Sequence, residues 1–194
     1  MFTDKRLAEI CQEAYQCKSW SKGGVEILFK HGADANVFAF RGTEFNGADI
    51  LKDLRACPWW SSELSGWFHK GFLKGAELSL KFIKPLATLS KKPVILTGHS
   101  LGGAEAQIVG MFLAKKVGDL KVVTFGSPRV GFNRARKLLE GVPVTLYRNG
   151  IDIVTEVPTI LPWDHVTPLK CLYSPQKDRF GNHRIGEYLQ SLQA

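Results

Sequence analysis

The sequence lacks the features that mark membrane-spanning, secreted and disulfide-stabilised proteins. No stretch of its 194 residues approaches the roughly 18 consecutive apolar residues of a transmembrane helix. Residues 1–20 carry charges throughout and contain no apolar h-region, so we expect no secretory signal and a cytoplasmic location. The cysteines form no CxxC pair, which favours reduced thiols; they are Cys11, Cys17, Cys57 and Cys171.

Dense basic runs and nucleic-acid-binding motifs are also missing, although positive charge is in excess. The chain has 26 Lys and Arg against 18 Asp and Glu, a formal net charge of +8. Because this charge is spread along the chain, a nucleic-acid partner is not expected. A solvated face and attraction to an anionic membrane surface both stay open. The sequence leaves the oligomeric state undetermined.

Alternating strand and helix patterns run through the chain without a repeat, a low-complexity segment or a linker, which predicts one domain over residues 1–194. Helices are expected over residues 4–18, 46–54, 70–90, 101–117, 134–141 and 185–192, with Pro85 kinking or ending the third. Strands are expected over residues 25–30, 36–42, 93–98, 120–126, 144–149 and 169–174. Strands separated by helices predict an α/β fold with a mostly parallel, doubly wound central sheet flanked by helices.

One short motif lies at a strand-to-helix junction. GHSLG, residues 98–102, fits the G-x-S-x-G pattern between an expected strand and an expected helix. A turn this sharp strains the backbone of Ser100, and side chains at Gly98 and Gly102 would collide with neighbouring elements. The turn lifts the serine hydroxyl above the sheet and aims the helix N-terminus at any oxyanion formed there. Ser100 is therefore the predicted nucleophile.

A serine needs a base and an orienting acid, which in this kind of site follow it in the order Ser, Asp or Glu, His. Asp152 comes directly after the expected strand 144–149, where such an acid belongs. Asp119 precedes a strand and so lies at the wrong end of the sheet. Asp164 and Asp178 lie in later loops and remain weaker alternatives.

Two of the five histidines follow Asp152 in the chain. His183 lies between the expected last strand and the terminal helix, where the base of this fold usually sits, whereas His165 precedes that strand. His31 and His69 come before the nucleophile. His99 lies inside the GHSLG turn, the nucleophile elbow, and its side chain is expected to point away from the Ser100 hydroxyl. We predict His183 as the base and a structural role for His165.

Five motifs in order resemble the class 3 (fungal-type) lipase family, a branch of the α/β-hydrolases. They are FRGTEFNGADILKDL (40–54), FHKGF (68–72), ILTGHSLGGAEA (95–106), VVTFGSPRVG (122–131) and LYRNGIDIVTEVP (146–158). Together they span most of the chain and are far more specific than the elbow alone. The resemblance implies the α/β-hydrolase fold and a lipase-like activity.

The resemblance also implies an oxyanion hole. In the family the Ser or Thr after F-R-G contributes to it, and that residue here is Thr43; the second donor is the backbone N–H of Leu101. Asp152 matches the family's acid, although the motif after it departs from the family pattern. Asn182 precedes His183 where family members often carry Asp, a second departure.

In family members a lid lies between the F-R-G strand and the H-x-G-F segment. The corresponding residues here are 55–67, which include Trp59, Trp60 and Trp67. We expect these tryptophans to contact substrate at the rim of the site, with core packing as the alternative. The segment is short, which argues against the interfacial activation of longer lids.

The sequence therefore predicts a serine hydrolase of lipase type that cleaves carboxylic esters of lipids through an acyl-enzyme, with Ser100, Asp152 and His183 as its triad. This chemistry needs no metal and no organic cofactor. A phospholipase A1 or a short-chain esterase with the same triad is the enzymatic alternative. A catalytically silent lipase-like binding protein is the alternative of another class.

Overall fold

A seven-stranded sheet organises the part of the chain that the computed structural model describes, residues 2–43, 57–175 and 177–193. The strands are β1 Trp20–Lys22, β2 Val25–His31, β3 Asn36–Phe40, β4 Pro58–Ser61, β5 Gly66–His69, β6 Val94–His99, β7 Leu120–Phe125, β8 Val144–Asn149 and β9 Leu169–Leu172. The sheet order is β1-β2-β3-β6-β7-β8-β9, and β4 and β5 form a separate antiparallel hairpin.

Five of the strands in the sheet run parallel. β1, β2 and β3 pair antiparallel, and the pairs from β3 through β6, β7 and β8 to β9 are all parallel. This confirms the mostly parallel α/β sheet predicted from the sequence. Because parallel strands end at the same edge, the segments that follow β6, β8 and β9 meet there.

Helices cover both faces of the sheet. They are α1 Asp4–Glu13, α2 Lys70–Leu89, α3 Leu101–Leu113, α4 Arg134–Leu138 and α5 Ile185–Ser191, with 3₁₀ turns at Val154–Glu156 and Gly181–His183. Side chains of β3 alternate between the two layers: Phe38 and Phe40 pack with α2 and α3, whereas Val37 and Ala39 pack with α1 and α5. α3 is buried on every side from Gly102 onwards.

Some boundaries differ from the sequence prediction. α2 does not end at Pro85 but continues to Leu89. The carbonyl that Pro85 leaves without an amide partner belongs to Lys81, an exposed residue, so water can satisfy it. α1 is five residues shorter than the predicted 4–18, and α3 ends before the predicted 117.

The segment from residue 58 to residue 69 is a β-hairpin, although the sequence predicted no strand over residues 58–61 or 66–69. Neighbouring aromatic residues such as Trp59 and Trp60 favour strand conformation. The predicted helix 46–54 and residues 55–56 of the lid-like segment lie outside the described residues. Of the helices in the described ranges, none combines the length and the apolarity that a membrane crossing requires.

Candidate active site

Ser100 lies at the strained turn between β6 and α3. Its backbone has φ 57° and ψ −126°, a conformation that non-glycine residues rarely adopt. A Cβ at Gly98 would lie 2.4 Å from the Gly102 carbonyl, and one at Gly102 would lie 2.2 Å from the Phe40 oxygen. Both glycines are therefore required by close backbone packing, as the elbow motif predicts.

Three side chains from different elements form one hydrogen-bonded chain. His183 Nε2 lies 2.8 Å from Ser100 Oγ, and His183 Nδ1 lies 2.9 Å from Asp152 Oδ2. All three side chains are buried. Because a carboxylate only accepts, Nδ1–H donates to Asp152, and Nε2 is left to accept the serine proton. This tautomer is the one that a general base beside Ser100 needs.

The Asp152 carboxylate has two further donors. Oδ1 accepts a hydrogen bond of 2.9 Å from the backbone N–H of Val154, in the 3₁₀ turn after β8. The Tyr188 hydroxyl, on α5, donates to Oδ2 at 2.5 Å. Burial, and then the charge of Asp152, raises the pKa of Tyr188 well above its usual value, so the phenol keeps its proton. Sequence reasoning missed Tyr188, which carries no local signal beyond an inward position on a helix.

Gly126 makes room for the acid and the base. It has φ +62°, and a Cβ there would lie 2.8 Å from Asp152 Oδ2 and 2.9 Å from His183 Nδ1. The residue opens GSPRVG, part of one of the five motifs that resemble the class 3 lipase family. Its position directly after β7 was the signal that could have placed it at the sheet edge with Asp152 and His183.

The alternative acids have partners or positions elsewhere in the described part of the chain. Asp164 pairs with Arg136, the Asp178 carboxylate accepts from the backbone N–H of Phe180, and Asp119 precedes β7. Asp152 is the acid that the geometry brings to the site.

His165 contacts the backbone of the 3₁₀ turn after β8. Its Nε2 donates to the Thr155 carbonyl at 2.7 Å, and burial lowers its pKa. His31 ends β2 and His69 ends β5, away from the hydrogen-bonded chain. The structure thus brings His183, and not the other downstream histidine, to Ser100.

His99 supports the loop that carries His183. Its Nε2 donates to the His183 carbonyl at 2.6 Å, and its Nδ1 accepts from the Tyr15 hydroxyl at 2.7 Å. Burial lowers the pKa of His99 to about 3, so the ring is neutral and can make both contacts. Asn182 is buried as well, and its side-chain and backbone oxygens both accept from Asn149.

The predicted oxyanion donors lie beside the serine. A Cβ at Gly42 would lie 3.2 Å from Ser100 Cβ, which places the following residue, Thr43, next to the nucleophile. Leu101 is the first residue of α3, and its N–H has no acceptor within the helix. The Leu101 N–H at the N-terminus of α3, together with Thr43 from the segment after β3, suits a developing oxyanion.

A cavity of about 410 Å³ opens at Ser100. Its described lining contains Ser100 with both predicted oxyanion residues and a largely apolar wall, formed by Gly23, Gly24, Val25, Thr43, Gly71, Phe72, Lys74, Gly75, Leu78, Leu101 and Glu105. Trp59, Trp60 and Trp67 are not among these residues, so their substrate contact stays a prediction. This cavity has the size and character of a small-molecule site.

Comparison with known proteins agrees with this geometry. The family model described as "Lipase (class 3)" matches residues 37–161. The chain is similar to "Secreted mono- and diacylglycerol lipase 1" of Fusarium solani, with 32% identity over 52% of this chain and 32% of that protein. It is also similar to "Phospholipase A(1) DAD1, chloroplastic" of Arabidopsis thaliana, with 40% identity over 35% of this chain and 16% of that protein.

A solved lipase from Rhizopus microsporus var. chinensis has the same fold. It superimposes with a TM-score of 0.69 and 27% identity, over 83% of this chain and 61% of that one. The predicted α/β-hydrolase fold is therefore confirmed. The chain covers about a third or less of the two curated relatives named above.

Proposed function

We propose that this chain, which belongs to the class 3 lipase family, is a serine hydrolase that cleaves carboxylic esters of lipids through an acyl-enzyme intermediate. The observation that carries the proposal is the buried contact of Ser100, His183 and Asp152, with distances of 2.8 and 2.9 Å. These three groups have the geometry and the tautomer of a nucleophile, a base and an orienting acid.

The mechanism follows from the positions of these groups. Ser100 Oγ attacks the ester carbonyl while His183 Nε2 takes its proton, and Asp152 stabilises the imidazolium that forms. Thr43 and the Leu101 N–H stabilise the tetrahedral oxyanion, each donor typically contributing ~3–4 kcal/mol. His183 then returns the proton to the leaving alcohol. Water, activated by the same imidazole, releases the acid and restores the serine.

The two halves of the substrate lie on opposite sides of Ser100. The alcohol receives its proton from His183, so it must depart on the histidine side. Neither His183 nor Asp152 is among the described residues lining the 410 Å³ cavity, whereas Thr43 and Leu101 are. The acyl chain therefore extends from the oxyanion side into this cavity, whose apolar wall suits it.

Labelling with a fluorophosphonate probe tests the proposal. We expect the probe to modify Ser100 in the native protein and to leave Ser100→Ala unlabelled, because only the activated serine attacks phosphorus. A panel of p-nitrophenyl esters and phospholipids then separates a lipase from a phospholipase A1 and from a short-chain esterase. Absence of both labelling and hydrolysis in a folded preparation would instead favour a catalytically silent lipase-like binding protein.

The hairpin of β4 and β5 supports a second part of the proposal, contact with a lipid surface. Trp59, Trp60 and Trp67 are each between 44 and 49% exposed, so about half of each side chain's surface faces solvent, which supports contact with a lipid surface. Trp60 packs edge-on against Trp67, and Lys70 Nζ lies 4.3 Å from the centre of the Trp59 ring. Half-exposed tryptophans beside a cation are typical of side chains that enter a membrane interface.

Trp60→Ala is expected to lower hydrolysis of vesicle-borne lipid roughly tenfold, which corresponds to ~1.4 kcal/mol of lost interfacial contact. Hydrolysis of a dissolved short-chain ester should stay within about twofold of wild type, since Trp60 does not line the cavity. The matched control is Leu89→Ala, an 84% exposed apolar residue at the far end of α2. Equal losses on dissolved and vesicular substrates would exclude a role at the lipid surface.

A further inference from the structure

The acyl cavity contains a carboxyl group that the catalytic steps do not use. Glu105 lies one turn beyond Leu101 on α3, lines the cavity that opens at Ser100, and is 4% exposed. It also borders a second, smaller cavity that shares Thr43 and Leu101 with the first. Its carboxyl group lies against Gly75 of α2, another residue of the same cavity wall.

The fold makes space for this carboxyl, and the described residues give it no partner. A Cβ at Gly75 would lie 1.9 Å from Glu105 Oε1, so the carboxyl occupies the notch that this glycine leaves on α2. Glycine inside a helix is unfavourable, which indicates that the notch serves a purpose. Among the described residues, no hydrogen-bond or ion-pair partner contacts the Glu105 carboxyl, and burial is the one influence on its protonation.

An unpartnered, almost fully buried carboxyl in a cavity wall points to a ligand group that would satisfy it. We propose that Glu105 is a specificity-determining residue that donates a hydrogen bond to an oxygen on the acyl chain. The cavity would then select acyl groups carrying an ether, hydroxyl or carbonyl oxygen over plain alkyl chains. This inference rests on the proposed ester hydrolysis, because it assigns the acyl half of that substrate to the cavity.

The protonation state of Glu105 suits this role. Burial raises the pKa of Glu105 to about 8, so at neutral pH the group is a carboxylic acid that can donate. Lys74 of α2 is the other titratable group in the described lining, and Glu26 and Arg41 line the adjoining cavity. Glu26 is ion-paired with Arg41 and with Lys18, so its charge is already compensated.

Paired substrates test the proposal. The first substrate is p-nitrophenyl octanoate; the others replace its methylene at position 4, 5 or 6 by an ether oxygen. The measured quantity is the kcat/KM ratio of ether to alkyl ester, compared between wild type and Glu105→Leu so that intrinsic ester reactivity cancels. We expect this ratio to fall about tenfold or more for one ether position in the variant, because a buried polar group discriminates strongly against a chain that leaves it unpaired.

Two further variants keep the test decisive. Glu105→Gln retains an N–H donor of nearly the same shape and should preserve much of the ratio. If Glu105→Leu does not fold, the pH dependence of the wild-type ratio decides, with Glu105→Gln as its control. Leu78→Met changes the same cavity without a hydrogen-bonding group and should leave the ratio unchanged. In wild type the ratio should fall as pH rises through about 8, because the ionised carboxyl no longer donates; Glu105→Gln should show no such fall.

A ratio that is the same in wild type, Glu105→Leu and Glu105→Gln at every ether position would overturn the proposal. If wild type hydrolyses these esters and depends on Ser100, that result would leave the proposed function intact. Absence of hydrolysis together with absence of fluorophosphonate labelling would instead remove the proposed function, and this inference with it.

Discussion

Replacing Ser100 by alanine is expected to lower the rate of ester hydrolysis on the order of 10⁶-fold while leaving the fold intact. The hydroxyl is the only nucleophile in the buried chain of contacts with His183 and Asp152, so its loss removes the acyl-enzyme route altogether. Steady-state kcat on a p-nitrophenyl ester measures the effect. The thermal melting midpoint should hardly change, because alanine places no new atoms in the packed turn.

The Ser100→Ala preparation must be free of wild-type enzyme, because a trace of it would be mistaken for residual activity of the variant. Active-site titration with a fluorophosphonate measures contamination directly, since the variant itself should not react. Activity above a few per cent of wild type, with no titratable serine, would rule out Ser100 as the nucleophile. An inactive variant that also melts much earlier than wild type would instead indicate that the hydroxyl supports the fold.

Local rules predicted the nucleophile turn well. The glycines of GHSLG are needed because their Cα atoms lie against neighbouring backbone, and this follows from the sharpness of the turn alone. Asp152 was predictable for a topological reason: a residue directly after a parallel strand lies at the same sheet edge as Ser100. Predicting His183 also required placing it between the last strand and the last helix of the chain.

Contacts between distant elements could not be predicted in this way. Tyr188 reaches Asp152 from α5 because that helix packs on the sheet beside β8, a placement that periodicity does not specify. Glu105 is a similar case, since the pattern over 101–117 predicts a helix but not the burial of all its faces. A charged residue there would ordinarily be placed towards solvent.

The hairpin of β4 and β5 shows a different limit. Proline is unfavourable inside a strand, and no strand was predicted over Pro58–Ser61 although its tryptophans favour one. Pairing with Gly66–His69 and the contact of Trp60 with Trp67 stabilise it as a strand instead. Strand formation in so short a segment depends on its partner, and partners are set by the tertiary fold.

Comparing His183→Ala with His165→Ala is expected to separate the base from a structural histidine. Removing the imidazole beside Ser100 should cost about as much as removing the serine itself, on the order of 10⁶-fold in kcat, because the nucleophile is then no longer activated. His165→Ala breaks the 2.7 Å hydrogen bond to the Thr155 carbonyl and should instead lower the free energy of unfolding by ~1 kcal/mol.

The two variants control for each other, since each removes one imidazole from a chain with five histidines. Ester hydrolysis and urea unfolding, measured on both, give two independent readouts. Added imidazole should partly restore hydrolysis in His183→Ala, because the deletion leaves a buried space between Ser100 and Asp152 that the free base fits. Loss of activity in His165→Ala with normal stability, alongside an active His183→Ala, would move the base to His165 and contradict the geometry of the site.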